Sequence, residues 1–284
     1  MFLKIIYLEV DYYVSLTMNK DNERMNEIIS TLKKRSEEDK LKYYQPYEFQ
    51  KRFHFTSKDA NQRLLMAANR VGKSYVGAME MAIHLTGSYP DWWKGRRFEE
   101  PIKAWVCGAS NETTRDICQK ELFGQPDNPR DRGKGSIPKH LIGETTRKPG
   151  VPNAHSSVLV KHISGGWSRV AFKAYEMGAE KFMGESMDLI WLDEEPPQDI
   201  YSQCITRTLD RQGQVYMTFT PESGMTEVVQ NFTSDLKPSQ ALITAGWEDA
   251  DHLTDDMKEQ ILQALPPHER EMRSKGIPMI ESGL

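Results

Sequence analysis

Apolar positions along the chain fall into short unbroken runs separated by stretches of helical period. The runs are Leu64–Ala68, Ile102–Gly108, Leu189–Leu192, Val215–Phe219 and Ala241–Ala245. Continuous apolar runs of this length, bounded by turn residues, predict strands buried on both faces, as in a parallel sheet. Two further segments, Ser157–Ile163 and Ser168–Tyr175, flank Ser164-Gly165-Gly166-Trp167 and predict a hairpin. Helical patterns lie between the runs. One spans Tyr75–Leu85 and stops at Thr86-Gly87-Ser88-Tyr89-Pro90-Asp91-Trp92-Trp93. A second is capped by Ser110, carries Glu112 in its first turn and reaches Phe123. A third covers Tyr201–Leu209, and a fourth follows Thr254, with Asp255 and Asp256 as dipole partners, until Pro266-Pro267. The expected fold is α/β, with a central, mainly parallel sheet flanked by helices.

The remaining segments are polar. Residues 19–42 read as a surface helix with sparse apolar positions (Met25, Ile28, Ile29, Leu32), and Lys33-Lys34-Arg35 as its solvated face. Residues 124–155, with Arg130, Arg132, Lys134, Lys139, Arg147 and Lys148, read as a long insertion and a candidate DNA contact. Lys94-Gly95-Arg96-Arg97 is a second basic spot, beside two tryptophans. Residues 1–17 read as an upstream extension ahead of Met18. Glu9 and Asp11 break the apolar character that a signal peptide needs.

Chemistry enters where two of the apolar runs end. The first runs into Ala67-Ala68-Asn69-Arg70-Val71-Gly72-Lys73-Ser74 and then a helix. Strand, loop, Gly-Lys-Ser and helix form a phosphate-binding loop, because free N–H groups and the helix dipole face the anion. Lys73 reaches the β- and γ-phosphates, and Ser74 offers a hydroxyl to Mg²⁺. Ala67 stands where the motif usually has its first glycine. The Leu189–Leu192 run ends in Asp193-Glu194-Glu195. Ligands of open α/β sheets bind at the carboxyl ends of strands. Asp193 is placed to hold Mg²⁺ and Glu194 to polarise a water. Thr218 and Thr220 end another strand and are placed to sense a γ-phosphate through their hydroxyls. Ahead of the loop, Tyr43-Tyr44-Gln45-Pro46-Tyr47-Glu48-Phe49-Gln50 suggests an adenine site. Gln50 presents its amide to the base edge, and Tyr44 or Tyr47 stacks on the ring.

Composition narrows the class. The hydrophobic fraction of 38% suffices for a core in 284 residues. A net charge of −4 and a pI of about 6.0 leave no global cationic surface, so a nucleic acid must be held by local patches. Cys107, Cys118 and Cys204 are dispersed and fit a reducing cytoplasm. The histidines show no metal-ligand spacing, and no apolar stretch is long enough to span a bilayer.

Taken in order, the Gln50 segment, residues 67–74, Leu189-Ile190-Trp191-Leu192-Asp193-Glu194-Glu195-Pro196-Pro197 and Thr218-Phe219-Thr220-Pro221 resemble the large terminase subunit of tailed bacteriophages and prophages. His84–Trp93 and Pro266-Pro267-His268-Glu269-Arg270 fit the same family. The resemblance covers roughly residues 43–280, with 1–42 as extension and surface helix and 281–284 as the start of a linker. It implies a P-loop NTPase of the ASCE, RecA/helicase-like type, with ATP and Mg²⁺ as cofactors. It implies ATP-driven translocation of double-stranded DNA into a procapsid by a homo-oligomeric ring on the portal protein. It also implies a small terminase subunit as partner, no membrane, and a place in the cytoplasm of the bacterial host. By position, Lys73 and Ser74 bind phosphate and Mg²⁺, Asp193 binds Mg²⁺, Glu194 is catalytic, and Thr218 to Thr220 form a coupling motif. Arg70 is a candidate for stabilising the transition state in cis. Arg207 is a candidate in trans, on a helix expected to flank the ligand-binding end, with a surface ion pair to Asp210 as its alternative. The family's metal-dependent nuclease domain would begin where this sequence stops, so cutting activity is not expected of it. A helicase-like translocase and a non-hydrolysing ATP-dependent adaptor are the alternative functions.

Overall fold

The computed structural model describes residues 22–234 and 236–279. The readings of residues 1–17 and 281–284 lie outside the described residues. The first helix is α1 (Asn22–Glu38), followed by α2 (Glu48–Thr56) and β1 (Gln62–Ala67). The phosphate-loop helix is α3 (Lys73–Thr86) and leads to β2 (Lys103–Gly108). Next, Asn111–Thr113, a π-helical stretch Thr114–Gln119 and Lys120–Phe123 run on as α4. Three strands follow, β3 (Ile142–Arg147), β4 (His155–Lys161) and β5 (Trp167–Ala174). Then come β6 (Leu189–Asp193), α5 (Gln198–Leu209), β7 (Gln214–Phe219), α6 (Glu227–Thr233), β8 (Gln240–Ala245), α7 (Asp255–Ala264) and α8 (Arg270–Lys275). All eight strands form one sheet in the order β3-β4-β5-β2-β6-β7-β1-β8. It is parallel from β5 to β8, and β3, β4 and β5 pair antiparallel.

Strand parity builds the two core layers. Leu65 and Ala67 of β1, Ala104 and Val106 of β2, Leu189 and Trp191 of β6, and Tyr216 of β7 pack on one face with α3. Their neighbours Leu64, Met66, Trp105, Cys107, Ile190, Leu192, Val215 and Met217 pack on the other with α5 and α6. A strand covered on both sides has no polar face, which is why its sequence reads as an unbroken apolar run. The helix α3 lies close over the sheet at Gly77, where a Cβ would stand 2.4 Å from the Trp191 ring. Its Gly77 carbonyl accepts from Tyr216 Oη at 2.7 Å. Gly87 ends it in the left-handed conformation (φ 69°), which only glycine adopts without penalty.

The far half of α3 is pinned by buried charge. Glu80 is wholly buried, with Arg63 of β1 on one oxygen and His54 of α2 on the other at 2.7 Å. His84, one turn on, lies 3.4 Å from Glu80. Burial drives the Glu80 pKa up, but Arg63, His54 and His84 together hold it well below the usual range. The Arg63 guanidinium lies between the Phe53 and Tyr216 rings, 5.0 and 5.2 Å from their centroids.

Three sequence expectations change. Residues 124–155 are not a plain insertion, since Ile142–Arg147 forms edge strand β3. Its residues are only partly buried, so it carries no apolar run. The basic spot at Lys94–Arg97 is partly tied down. Arg96 donates to Gln212 O at 2.5 Å and stacks on Phe98, and Arg97 stacks on Tyr89. Tyr44 is 3% exposed, with its hydroxyl on His54 Nε2 at 2.9 Å, so it is a core residue and not a base platform.

Breaking a buried pair by removing one partner leaves an uncompensated charge and costs about 3–5 kcal/mol. We expect Glu80→Ala to lose stability in that range, read from the denaturant midpoint at constant slope. A loss below about 1 kcal/mol, the size of a surface pair, would show that the network does not hold α3.

Candidate active site

The carboxyl ends of β1, β6 and β7 bring the motif residues together. By parity Trp191 and Asp193 of β6 face α3, and Asp193 is paired in register with Thr218 of β7. Asp193 is 1% exposed. Its Oδ1 accepts from Thr218 Oγ1 at 2.7 Å, and Ser74 Oγ lies 3.1 and 3.2 Å from its two oxygens. Cys118 of α4 is a third neighbour, with Sγ 3.8 Å from Oδ2. Burial pushes the Asp193 pKa up, against the pull of these donors and the Lys73 charge. Hard oxygens from half-buried Ser74 and buried Asp193 stand side by side and could supply two of the oxygen ligands of a Mg²⁺ ion.

The loop itself explains its departure from the usual motif. Ala67 is still in β1, with extended backbone, so the absent glycine leaves no conformational demand unmet. The demands fall at Arg70 (φ 66°) and Gly72 (φ 87°). A non-glycine residue in this region costs on the order of 1–3 kcal/mol and persists where its surroundings over-determine it. Here His252 Nε2 holds the Arg70 carbonyl at 2.8 Å. Trp247 Nε1 holds the Asn69 carbonyl at 2.9 Å, and the Ala68 N–H donates to Ala245 O at 2.8 Å. Val71 is buried beneath.

Glu194 also has left-handed backbone (φ 63°), turning the chain out of β6. Its N–H donates to Thr218 O at 3.0 Å. The Tyr175 hydroxyl lies 2.9 Å from the carbonyls of both Asp193 and Glu194. Burial first, and then the Asp193 charge, push the Glu194 carboxyl up to about 7, while Lys73 draws it down. Glu195 faces elsewhere and accepts from the Thr226 hydroxyl, the cap of α6. The two adjacent acids are thereby told apart.

The threonines differ from expectation. Thr218 accepts from Trp191 Nε1 at 2.8 Å and donates to Asp193. Thr220 Oγ1 lies 2.7 Å from both Ala67 O and Asn69 Oδ1. Their hydroxyls are spent on Asp193 and the loop. Gln50 is 1% exposed; its Oε1 accepts from the Tyr47 N–H at 2.8 Å, and its Nε2 lies against Gly72. Tyr47 stacks on His252, with interplanar angle 9°. Arg207 is not brought to the site. Its carbonyl accepts from Met187 N–H at 2.8 Å, beside the start of β6, whereas Asp193 ends that strand. At about 3.3 Å per residue this is about 20 Å away. Asp210, the alternative partner of Arg207, accepts instead from Ser186 at 2.9 Å.

Comparison with known proteins gives the family and a related fold. The family described as terminase large subunit, T4-like virus type, N-terminal, matches residues 64–284. The chain belongs to this large terminase family. It is 40% identical over 258 residues to the large terminase subunit of Salmonella phage P22, covering 84% of this chain and 52% of that protein. Identity to the subunit of Enterobacteria phage LP7 is 29% over 188 residues, covering 64% and 38%. The chain thus spans about half the length, or less, of these curated relatives. Its fold is similar to the large terminase ATPase domain of Thermus phage P74-26, with TM-score 0.59, 15% identity, and 85% and 96% of the two chains covered. It is likewise similar to the large terminase of a thermophilic bacteriophage in complex with ADP, with TM-score 0.58, 12% identity, and 83% and 53% covered. The residues that the sequence did not reveal are Tyr175, Cys118, Thr226, His252 and Trp247, none of which lies in a motif.

The Glu194 shift has a stability consequence. A carboxyl raised from 4.5 to about 7 on folding contributes stability that is full below 4.5 and is lost as pH rises through 7. Glu194→Gln keeps the neutral form at every pH. In metal-free buffer its Tm relative to the parent should therefore rise between pH 5 and 8.5, by at least about 2 °C. A difference that stays flat with pH would show that Glu194 titrates normally.

Proposed function

We propose that the chain is an ATP-hydrolysing motor for the packaging of viral double-stranded DNA. The observation that carries the reading is the meeting of Lys73, Ser74, Asp193 and Glu194 at one edge of a parallel sheet, in a chain of the large terminase family. The ADP complex of a fold relative supports a nucleotide as ligand. The N–H groups at the start of α3 and the Lys73 ammonium take the phosphates. Ser74 and Asp193 hold Mg²⁺, which when bound neutralises charge on the β- and γ-phosphate oxygens. Glu194 orients a water whose oxygen bonds to the γ-phosphorus as the bond to the β–γ bridging oxygen breaks. ADP leaves with that electron pair, and the Glu194 carboxylate takes the water's proton. In this reading Gln50 turns out of its buried place beside Gly72 to meet the base edge, and Arg70 is the cis candidate for the developing charge. In this reading copies of the chain form a ring on the portal protein, with the small terminase subunit as partner, in the host cytoplasm.

Steady-state phosphate release with and without DNA tests the reading. Glu194→Gln should retain ATP binding and lose turnover by at least about a hundredfold, since the amide cannot accept the proton. Lys73→Ala should weaken nucleotide binding itself. Near-normal turnover in Glu194→Gln would remove Glu194 from the chemistry. ATP binding without turnover in the parent chain would favour an adaptor.

A further inference from the structure

The family motifs leave α8 without a role, yet it sits directly on the phosphate loop. The Asn69 N–H donates to Arg273 O at 3.1 Å. Gly276, which ends α8 with φ 70°, is so close that a Cβ would stand 2.7 Å from Ala67 C and Ala68 N. The Arg273 guanidinium reaches two acids. Nε donates to Glu269 Oε2 at 2.6 Å within the same segment, and Nη1 to Glu222 Oε1 at 2.8 Å. Glu222 lies two residues past Thr220, the residue that holds the loop from the β7 side. The Glu222 charge also acts on Glu194. Arg70 and Arg273 line a common cavity of about 490 Å³ with Met257, Gln260 and Ile261 of α7.

We propose that Arg273 is a positioning residue for the motor reaction, clamping the Thr220–Glu222 turn to the phosphate loop through α8. The proposal rests on the ATPase reading for its kinetic consequence, but the clamp itself is independent of that reading. Its backbone carbonyl fixes Asn69 from behind, and its side chain fixes Glu222 in front, so one residue sets the spacing between the loop and the end of β7. Loss of the side chain should leave phosphate binding by Lys73 and the loop amides in place while loosening the groups around Glu194. Misplacement by about 1 Å can cost up to a hundredfold in rate. An ordinary exposed ion pair would instead change almost nothing.

Arg273→Ala, Glu222→Ala, the double variant and Glu269→Ala should be compared in the full chain. In Arg273→Ala, hydrogen exchange of residues 220–226 without nucleotide should quicken by about tenfold, the exchange of the β1 and β6 strands being unchanged. The kcat for ATP should fall by about tenfold with KM within about twofold. Glu222→Ala should do the same, and the double variant should lose no more than either single, the mark of residues acting as one unit. Glu269→Ala, which removes only the partner within α8's own segment, should keep turnover within about twofold of the parent. Unchanged exchange in Arg273→Ala overturns the clamp, whether or not the parent hydrolyses ATP. Additive losses in the double variant, or an equal loss in Glu269→Ala, overturn it as well. The exchange effect in Arg273→Ala, together with a parent that shows no hydrolysis, upholds the clamp and refutes the functional reading alone.

Discussion

A carboxylate withdrawn from water must be met by donors, and here the group is Asp193. The penalty for an unmatched buried charge is several kcal/mol. Ser74 comes from the first turn of α3, Thr218 from β7 and Cys118 from α4, so three separate segments converge to meet it. The ladder between β6 and β7 places Thr218 opposite Asp193. A slip of one residue would present Met217 or Phe219 instead and turn every side chain to the other face. Satisfying this one group therefore fixes the register of the sheet's centre and the position of the phosphate loop together.

The helix α3 transmits that constraint across the molecule. Its first turn carries Ser74, its middle is pressed on Trp191 at Gly77, and its second half carries Glu80 within the buried Arg63–His54–His84 cluster. Three kinds of contact along one helix leave it little freedom to shift. Such over-determination is what lets Arg70 and Glu194 keep left-handed backbone beside the chemistry. Since α2 carries both His54 and Gln50, the cluster also sets Gln50 relative to the loop.

What could be read from the sequence follows from where residues are buried. The parallel strands were legible because burial on two faces leaves an apolar run, and Lys73, Ser74, Asp193 and Glu194 because they end such runs. Edge strand β3 was not legible, since Ile-Gly-Glu-Thr-Thr-Arg is partly exposed and has no run to show. The Arg63–Glu80 pair was hidden because a charge inside an apolar element has no periodic signature, and its partner is 17 residues away. Arg207 was misplaced for a topological reason. A helix that begins just past the ligand-binding end of β6 runs back along the sheet, and its 12 residues carry its last turn to the opposite end. Tyr44 and Tyr47 look alike in sequence, and only packing sends one into the core and the other against His252.

The pair Glu194-Glu195 shows how one strand end gives two adjacent acids different surroundings. Left-handed backbone at Glu194 breaks the alternation that β6 would otherwise continue, and the Tyr175 hydroxyl secures the break from below. Glu194 is left within the field of Asp193 and Lys73. Glu195 is handed to Thr226, which also caps α6 by accepting from the Val229 N–H at 3.2 Å. A displacement of the Glu194 backbone is therefore passed to the start of α6 through a single side-chain contact. Thr220 receives the movement of the phosphate loop from the opposite side, and the chain between Thr220 and Thr226 is only five residues long. The two contacts thus bound one short turn, so a shift of the loop and a shift at Glu194 both load the same piece of backbone. Helix α6 packs on the face of the sheet away from α3, so that turn joins the carboxyl edge of the sheet to the other layer.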